Sequence, residues 1–131
     1  YFCAEEGDDW GWLGYFIEKN EQIHGLNLHC LPEYVDDYDA FMEGLCRNQS
    51  IERLDISSCD IDFSSLSPFI VHSRNLRSLA LWNVDVSLEN ASNLAMALNR
   101  RQHKSLATIC LWCNNLRNEA LEEISAALTG Y

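Results

Sequence analysis

The sequence predicts an α/β protein in which short parallel strands alternate with helices along one curved array, the sheet lining the concave face and the helices the convex face. Three observations predict it. Four segments share the pattern apolar-x-x-apolar-x-apolar: "IHGLNL" from Ile23, "IERLDI" from Ile51, "LRSLAL" from Leu76 and "LATICL" from Leu106. Upstream of each, apolar residues recur three and then four apart, the period of one helix face. Short polar residues stand before those stretches, where their oxygens can cap free N–H groups.

The elements follow in order. A first helix over about 9–20 takes Asp8 or Asp9 as its cap and Trp10, Leu13 and Ile17 as its core column. Trp12, Tyr15 and Phe16 crowd the same helix, and Trp12 with Phe16 is expected to cover the open end of the array, since a terminal unit must hide its core. A strand over 23–28 follows. The second helix, 37–48, repeats the column as Tyr38, Phe41 and Leu45 after Asp36 or Asp37, and leads into a strand over 51–56. The third, 62–73, has Phe63, Leu66 and Ile70 after Asp60 or Asp62. Pro68 lies inside it, and a proline past the first turn costs a backbone hydrogen bond, so this helix is expected to be short or irregular. A strand over 76–81 and a helix over 88–102 come next, the latter with Ala91, Leu94 and Leu98 in the column once two extra residues are allowed in "NRRQHKS". The strand over 106–111 should bury Leu106, Ile109 and Leu111 and turn Thr108, Cys110 and Trp112 outward. A last helix, 118–129, starts at Asn118 with Leu121, Ile124 and Leu128 in the column. Its spacing calls for another strand near residue 134, so the chain reads as one domain of four to five units within a longer repeat array.

Neither element can bury its apolar face alone. Stacked units lay the strands into one parallel sheet and the helices into an outer layer, with a shared core between them. Strands sit about 4.8 Å apart and helices about 10 Å apart, so the stack bends with the sheet inside.

At this level "IERLDISSCDI" and "LATICLWCNNL" resemble the leucine-rich repeat L-x-x-L-x-L-x-x-N/C-x-L. "RNEALEEISAAL" resembles the helical half of its ribonuclease-inhibitor-like subclass, and the 25-residue unit carrying Cys59 is also similar to the cysteine-containing repeats of F-box proteins. The resemblance covers nearly all of residues 9 to 131. It implies a module that binds a protein on its concave face, or else a recognition segment of a larger receptor or F-box-type substrate adaptor. It also implies that the ninth repeat position, an Asn or Cys, satisfies backbone groups in the turn after each strand. Here that position is Cys59 and Asn114 in two units but Leu31 and Val84 in the others, so those two turns are expected to be irregular.

Charge narrows the partners. The chain carries a net charge of −11, and all but one unit of it falls in residues 1 to 43. An acidic end repels phosphate backbones and anionic lipid, which argues against nucleic acid and membrane surfaces. Two readings of it stay open: a solvated face that aids solubility, or a docking face for a basic protein partner. No stretch of eighteen apolar residues offers a membrane span. The basic run Arg100, Arg101, His103 and Lys104 falls at a helix C-terminus, where positive charge offsets the dipole.

Chemistry-bearing motifs are few. "CLWC" pairs Cys110 with Cys113, but a redox CxxC wants a helix N-terminus and a zinc site wants two further ligands at suitable spacing. Cys3, Cys30, Cys46 and Cys59 supply no second pair, and the six cysteines read as mostly free thiols of a reducing, cytoplasmic setting. Two glycosylation triplets, "NQS" at Asn48 and "NAS" at Asn90, point weakly the other way. Carboxylates come without a nucleophile or base in register, and no phosphate-cradling glycine loop exists, so no enzyme, cofactor, metal or small-molecule substrate is expected.

The concave face is the candidate site. Counted from the first apolar residue of each unit, position three reads Gly25, Arg53, Ser78, Thr108 and position five Asn27, Asp55, Ala80, Cys110. Position seven reads His29, Ser57, Trp82, Trp112, so parallel pairing sets two indoles side by side. Trp82 and Trp112 would anchor a partner, since exposed aromatic residues concentrate binding energy, while the alternative is that one ring merely packs on the other. Asn27, His29, Arg53, Asp55, Asn83 and Cys110 complete the candidate set, setting orientation and matching charge.

Overall fold

The computed structural model describes residues 2–4, 9–29 and 38–129. The elements run β1 (Phe2–Ala4), α1 (Trp10–Lys19), β2 (Gly25–His29), α2 (Tyr38–Arg47), β3 (Arg53–Ser57), α3 (Phe63–His72), β4 (Ser78–Trp82), α4 (Leu88–Arg100), β5 (Thr108–Cys110) and α5 (Asn118–Leu128). All five strands form one parallel sheet in chain order. Leu26 pairs with Leu54, Leu54 with Leu79, and Leu79 with Ile109, so one repeat position forms one column across the sheet. β1, paired with β2 through Cys3 and Asn27, was not foreseen, because three residues are too few to show an alternation.

The inward columns make the core. Leu26, Leu28, Leu54, Ile56, Leu79 and Leu81 are sealed from solvent beneath Leu13, Ile17, Phe41, Leu45, Leu66, Ile70, Leu94 and Leu98. Trp10 meets Phe41 edge to face at 4.9 Å, the arrangement its ring quadrupole favours. α1 and α2 touch backbone to backbone: a Cβ placed on Gly44 would lie 2.1 Å from the Gly14 carbonyl oxygen. Only glycine at both positions allows that approach. No described helix is long and apolar enough to cross a membrane.

Two kinds of turn hold the units together. After β3, β4 and β5 the chain reverses through Ser58, Asn83 and Cys113, all in the left-handed region at φ 53°, 48° and 59°. Asn114 then reaches back to the preceding unit, donating from Nδ2 to the Leu81 carbonyl and accepting at Oδ1 from the Val84 N–H. Cys59 Sγ donates toward the carbonyls of Ser57 and Leu28. The turn at Val84 is therefore regular, contrary to expectation, because the next unit's Asn114 supplies the polar partner that valine lacks. Leu31 lies outside the described residues.

On the other edge, α2, α3 and α4 each run into the next strand through a buried polar residue, Asn48, Ser73 and Arg101. Asn48 donates from Nδ2 to the Ile17 and Asn20 carbonyls and accepts at Oδ1 from the Ser50 and Ile51 N–H groups. It is only 2% exposed, so the "NQS" triplet is a structural cap that cannot carry a glycan in the folded chain. Asn90, partly buried, donates from Nδ2 to the Asp85 carbonyl. Arg101 takes the corresponding place after α4, its guanidinium donating to the Ile70 and Leu76 carbonyls and to Ser105 Oγ.

Several details depart from the sequence reading. α3 has ten residues, as many as α1 and α2, although Pro68 is its sixth. Pro68 and Ser64, whose carbonyl it leaves without a helical donor, face solvent, so water can satisfy that oxygen. Caps form at Asp9, at Asp62 and at the unforeseen Ser87, whereas Asn118 is already inside α5 and Arg117 before it makes no side-chain cap. Asp36 and Asp37 lie outside the described residues. At the last unit, Leu106, Ile109 and Leu111 are only half-buried, and Leu121 is 49% exposed while Ala120, Ile124 and Ala127 face the core. β5 and α5 have a neighbouring unit on one side only among the described residues.

Candidate functional site

The outward columns of the sheet form a polar face with an aromatic end. Parallel register places Asn27 beside Asp55, Asp55 beside Ala80, and Ala80 beside Cys110. The next column pairs His29 with Ser57 and Ser57 with Trp82. Trp112 stacks on Trp82 with ring centroids 5.1 Å apart and planes 27° from parallel. The rings stay 44% and 61% exposed, so the stack covers one side of each and leaves the others to solvent. Trp112 lies just past the end of β5, and its carbonyl accepts the Asn83 N–H, which carries the pairing of β4 and β5 into the turn.

A groove of about 480 Å³ runs beside this stack, lined by Asn27, Asp55, Ser57, Ala80, Trp82 and Cys110. Alanine in the Ala80 column position leaves the space that a larger residue would fill. His29 Nδ1 and Ser57 Oγ, 2.9 Å apart, tie β2 to β3 at one end of it. Partial burial raises the Asp55 carboxyl pKa above its ordinary value, and the Arg53 charge two residues away pulls it back down. Asn27 Oδ1 is buried without a hydrogen-bond donor among the described residues. Arg53 lines an adjoining polar depression with Arg77, Ser78 and Thr108, and Asp55 borders both.

Of the eight residues expected on this face, Asn27, Asp55, Trp82 and Cys110 line the groove, and His29 and Trp112 flank it. Arg53 is displaced toward the N-terminal ends of the strands. Asn83 is not on the sheet: it occupies the left-handed turn after β4 and donates from Nδ2 to Ser58 Oγ. As the residue after Trp82 it would fall on the core side with Leu81 if the strand ran on, and the left-handed turn takes it off the sheet instead. Ser57 and Ala80 were not singled out beforehand; a small residue as the floor of a groove has no signal in sequence.

Other surfaces are less organised for binding. A polar depression of about 470 Å³ at the helix-to-strand edge has its charges paired internally: Arg47 bonds Glu43 and reaches Glu18 at 3.4 Å, and His24 faces the Ser50 carbonyl. On α1, Trp12 lies flat on Phe16 at 5.4 Å and remains 62% exposed, beside the equally exposed Tyr15. Cys46, Cys59, Cys110 and Cys113 are free thiols, and no three His, Cys, Asp or Glu gather around a common point among the described residues.

No family model matches the chain, and no curated protein does. Among solved structures the chain is similar to a tropomodulin C-terminal domain from Caenorhabditis elegans, with 16% identity, a TM-score of 0.55 and coverage of 93% of this chain and 92% of that one. At that identity the likeness bears on the fold. A parallel sheet with one helix per strand, matched over nearly the whole of both chains, makes this domain a leucine-rich-repeat solenoid with its sheet on the concave face.

Proposed function

We propose that this domain is a protein-binding module, not an enzyme, and that its partner docks on the concave sheet with Trp82 and Trp112 as anchors. The observation that carries this reading is the pair of stacked, solvent-facing indoles at the rim of a polar groove. Large exposed aromatic surface next to hydrogen-bonding groups is the composition of an interface hot spot. A sheet face that only completed a core would not expose it. The excess of acid elsewhere in the chain suits a partner with a basic surface and disfavours nucleic acid.

Capture of partners from lysate of the source cells tests the reading. Three forms are compared after circular dichroism shows each to be folded: the wild type, Trp82→Ala/Trp112→Ala, and Trp12→Ala/Tyr15→Ala. A protein held by the wild type and the α1 variant but lost with the concave variant, at a cost of at least about 2 kcal/mol, supports the assignment. Loss with the α1 variant alone would move the site to the convex layer.

A second reading has this domain as one stretch of a longer array, a receptor with ribonuclease-inhibitor-like repeats or an F-box-type substrate adaptor with the cysteine-containing kind. The poorly covered Leu111 and Leu121 favour it, since another unit would bury them. Appending the residues that follow in its gene should then raise the melting temperature and slow hydrogen exchange in β5.

A further inference from the structure

We propose that the groove beside Trp82 is a socket for an arginine side chain presented by a basic protein partner, the guanidinium lying against the free face of Trp82 and donating to Asp55. This rests on the concave-face reading above and names the chemistry recognised there. Three features meet in the groove, and no single one would suffice.

The first is the aromatic wall. Trp112 covers Trp82 from the β5 side, and Trp82 lines a groove whose other residues come from β2, β3 and β4 as well as Cys110. The indole face turned away from Trp112 therefore looks toward β3, where Ser57 pairs with Trp82 and Asp55 stands two residues back along the strand. An indole is the strongest of the natural rings for holding a cation over its face.

The second is the acceptor set. Asp55 offers a carboxylate at the groove, and Asn27 Oδ1 is buried with no donor among the described residues. That oxygen is closed to solvent, so the Asp55 carboxylate is the acceptor a ligand can reach. It asks for donors, and the groove residues provide few: the His29–Ser57 pair is already engaged with itself.

The third is shape and charge. Ala80 leaves the floor open, and about 480 Å³ accommodates a guanidinium and its methylene stem. A planar cation with five N–H groups can stack on the ring and bond two acceptors at once, which an ammonium cannot do. Arg53 and Asp55 both line the depression shared with Arg77 and Thr108, but of the two only Asp55 also lines the groove beside Trp82, where it meets the incoming group. With a net charge of −11, the chain attracts a basic partner over distance, and the socket then selects within it.

The test is a titration of the ¹⁵N-labelled domain with N-acetyl-arginine methylamide, followed at the Trp82 indole N–H and the Asn27 side-chain amide. The lysine and glutamate analogues serve as controls. Both signals are expected to move together with arginine, at least about threefold more weakly with lysine, and not at all with glutamate. Asp55→Asn, which keeps the shape, should weaken arginine at least about tenfold, and Arg53→Gln should leave it the same or tighter. Equal response to arginine and lysine, indifference to Asp55→Asn, or shifts confined to the acidic helices α1 and α2 would each overturn the socket. If those occur while Trp82→Ala/Trp112→Ala still abolishes partner capture, the concave face stands as the binding surface and only its arginine selectivity falls.

Discussion

The middle of the arc and its last unit are written in the same pattern and packed differently. In β3 and β4, Leu54, Ile56, Leu79 and Leu81 are sealed between neighbouring units and the helices behind them. In the last unit Leu106, Ile109 and Leu111 hold the same columns but are half-buried, and Leu121 of α5 is half in water. Burial in a solenoid belongs to the stack and not to the pattern, because each unit hides its core only against the next. The concave face runs the opposite way. The polar residues lie over the well-packed middle, and the aromatic pair bridges from β4 of that middle to the thinly covered last unit.

The largest expected effect tests the middle. Gly44→Ala puts a methyl group into the backbone of Gly14, where no side chain can yield. Overpacking commonly costs about 1–3 kcal/mol, and here the loss should reach or exceed the upper figure in a urea titration. Leu54→Ala should cost about 2–5 kcal/mol by leaving a sealed cavity, while Ile109→Ala in the same column should cost roughly half as much. Equal losses would mean that β5 is as well covered as β3.

The two turn ladders come next. Asn48→Ala removes four hydrogen bonds to backbone groups and strands the Ser50 and Ile51 N–H groups, while the Ile17 carbonyl keeps the Asn20 N–H and the Asn20 carbonyl keeps Ser50 Oγ. Asn114→Ala removes two such bonds, to one carbonyl and one N–H. With two further bonds lost at about 0.5–1.5 kcal/mol each, Asn48→Ala should be the more damaging, by about 1 kcal/mol or more in equilibrium unfolding. The reverse order would make the strand-to-helix turns the stronger tie between units.

A smaller difference separates the helix starts. Hydrogen bonds from Ser64 and Ser65 hold the Asp62 carboxyl below its ordinary value of 3.8, while α5 has no side-chain cap. A lowered folded pKa means that the contribution is complete above the unfolded value and lost as pH falls through the folded one. Melting temperature should therefore fall below about pH 4, and Asp62→Ala should flatten that decline while lowering the plateau above it. Smallest of all, Leu121→Ser should change stability by no more than about 0.5 kcal/mol. A larger loss would show that α5 packs against something in solution.

Much of the architecture was legible because a period of two and a period of three and four are one-dimensional records of burial. Leu26, Leu54 and Leu79 declare themselves by position, and register alone brings Trp82 next to Trp112. Other features were hidden because they depend on what lies across the chain. "NQS" reads as a glycosylation triplet until Asn48 is seen to be enclosed by carbonyls from α1 and N–H groups from its own turn. Val84 reads as a defect until Asn114 is found thirty residues on, bonded to it. Pro68 reads as a break until its unbonded partner proves to face water. Asn83 reads as a face residue, yet a left-handed φ takes it off the sheet.

By itself, then, the sequence determined the repeated helix–strand unit, the parallel order of the strands and which residues share a face, since these follow from local periodicity and the need of each unit to bury one side. Only the tertiary structure decided how completely each column is buried, which polar atoms find partners and where a groove opens beside Trp82. Those depend on distances between residues 25 to 30 positions apart, which no local pattern encodes.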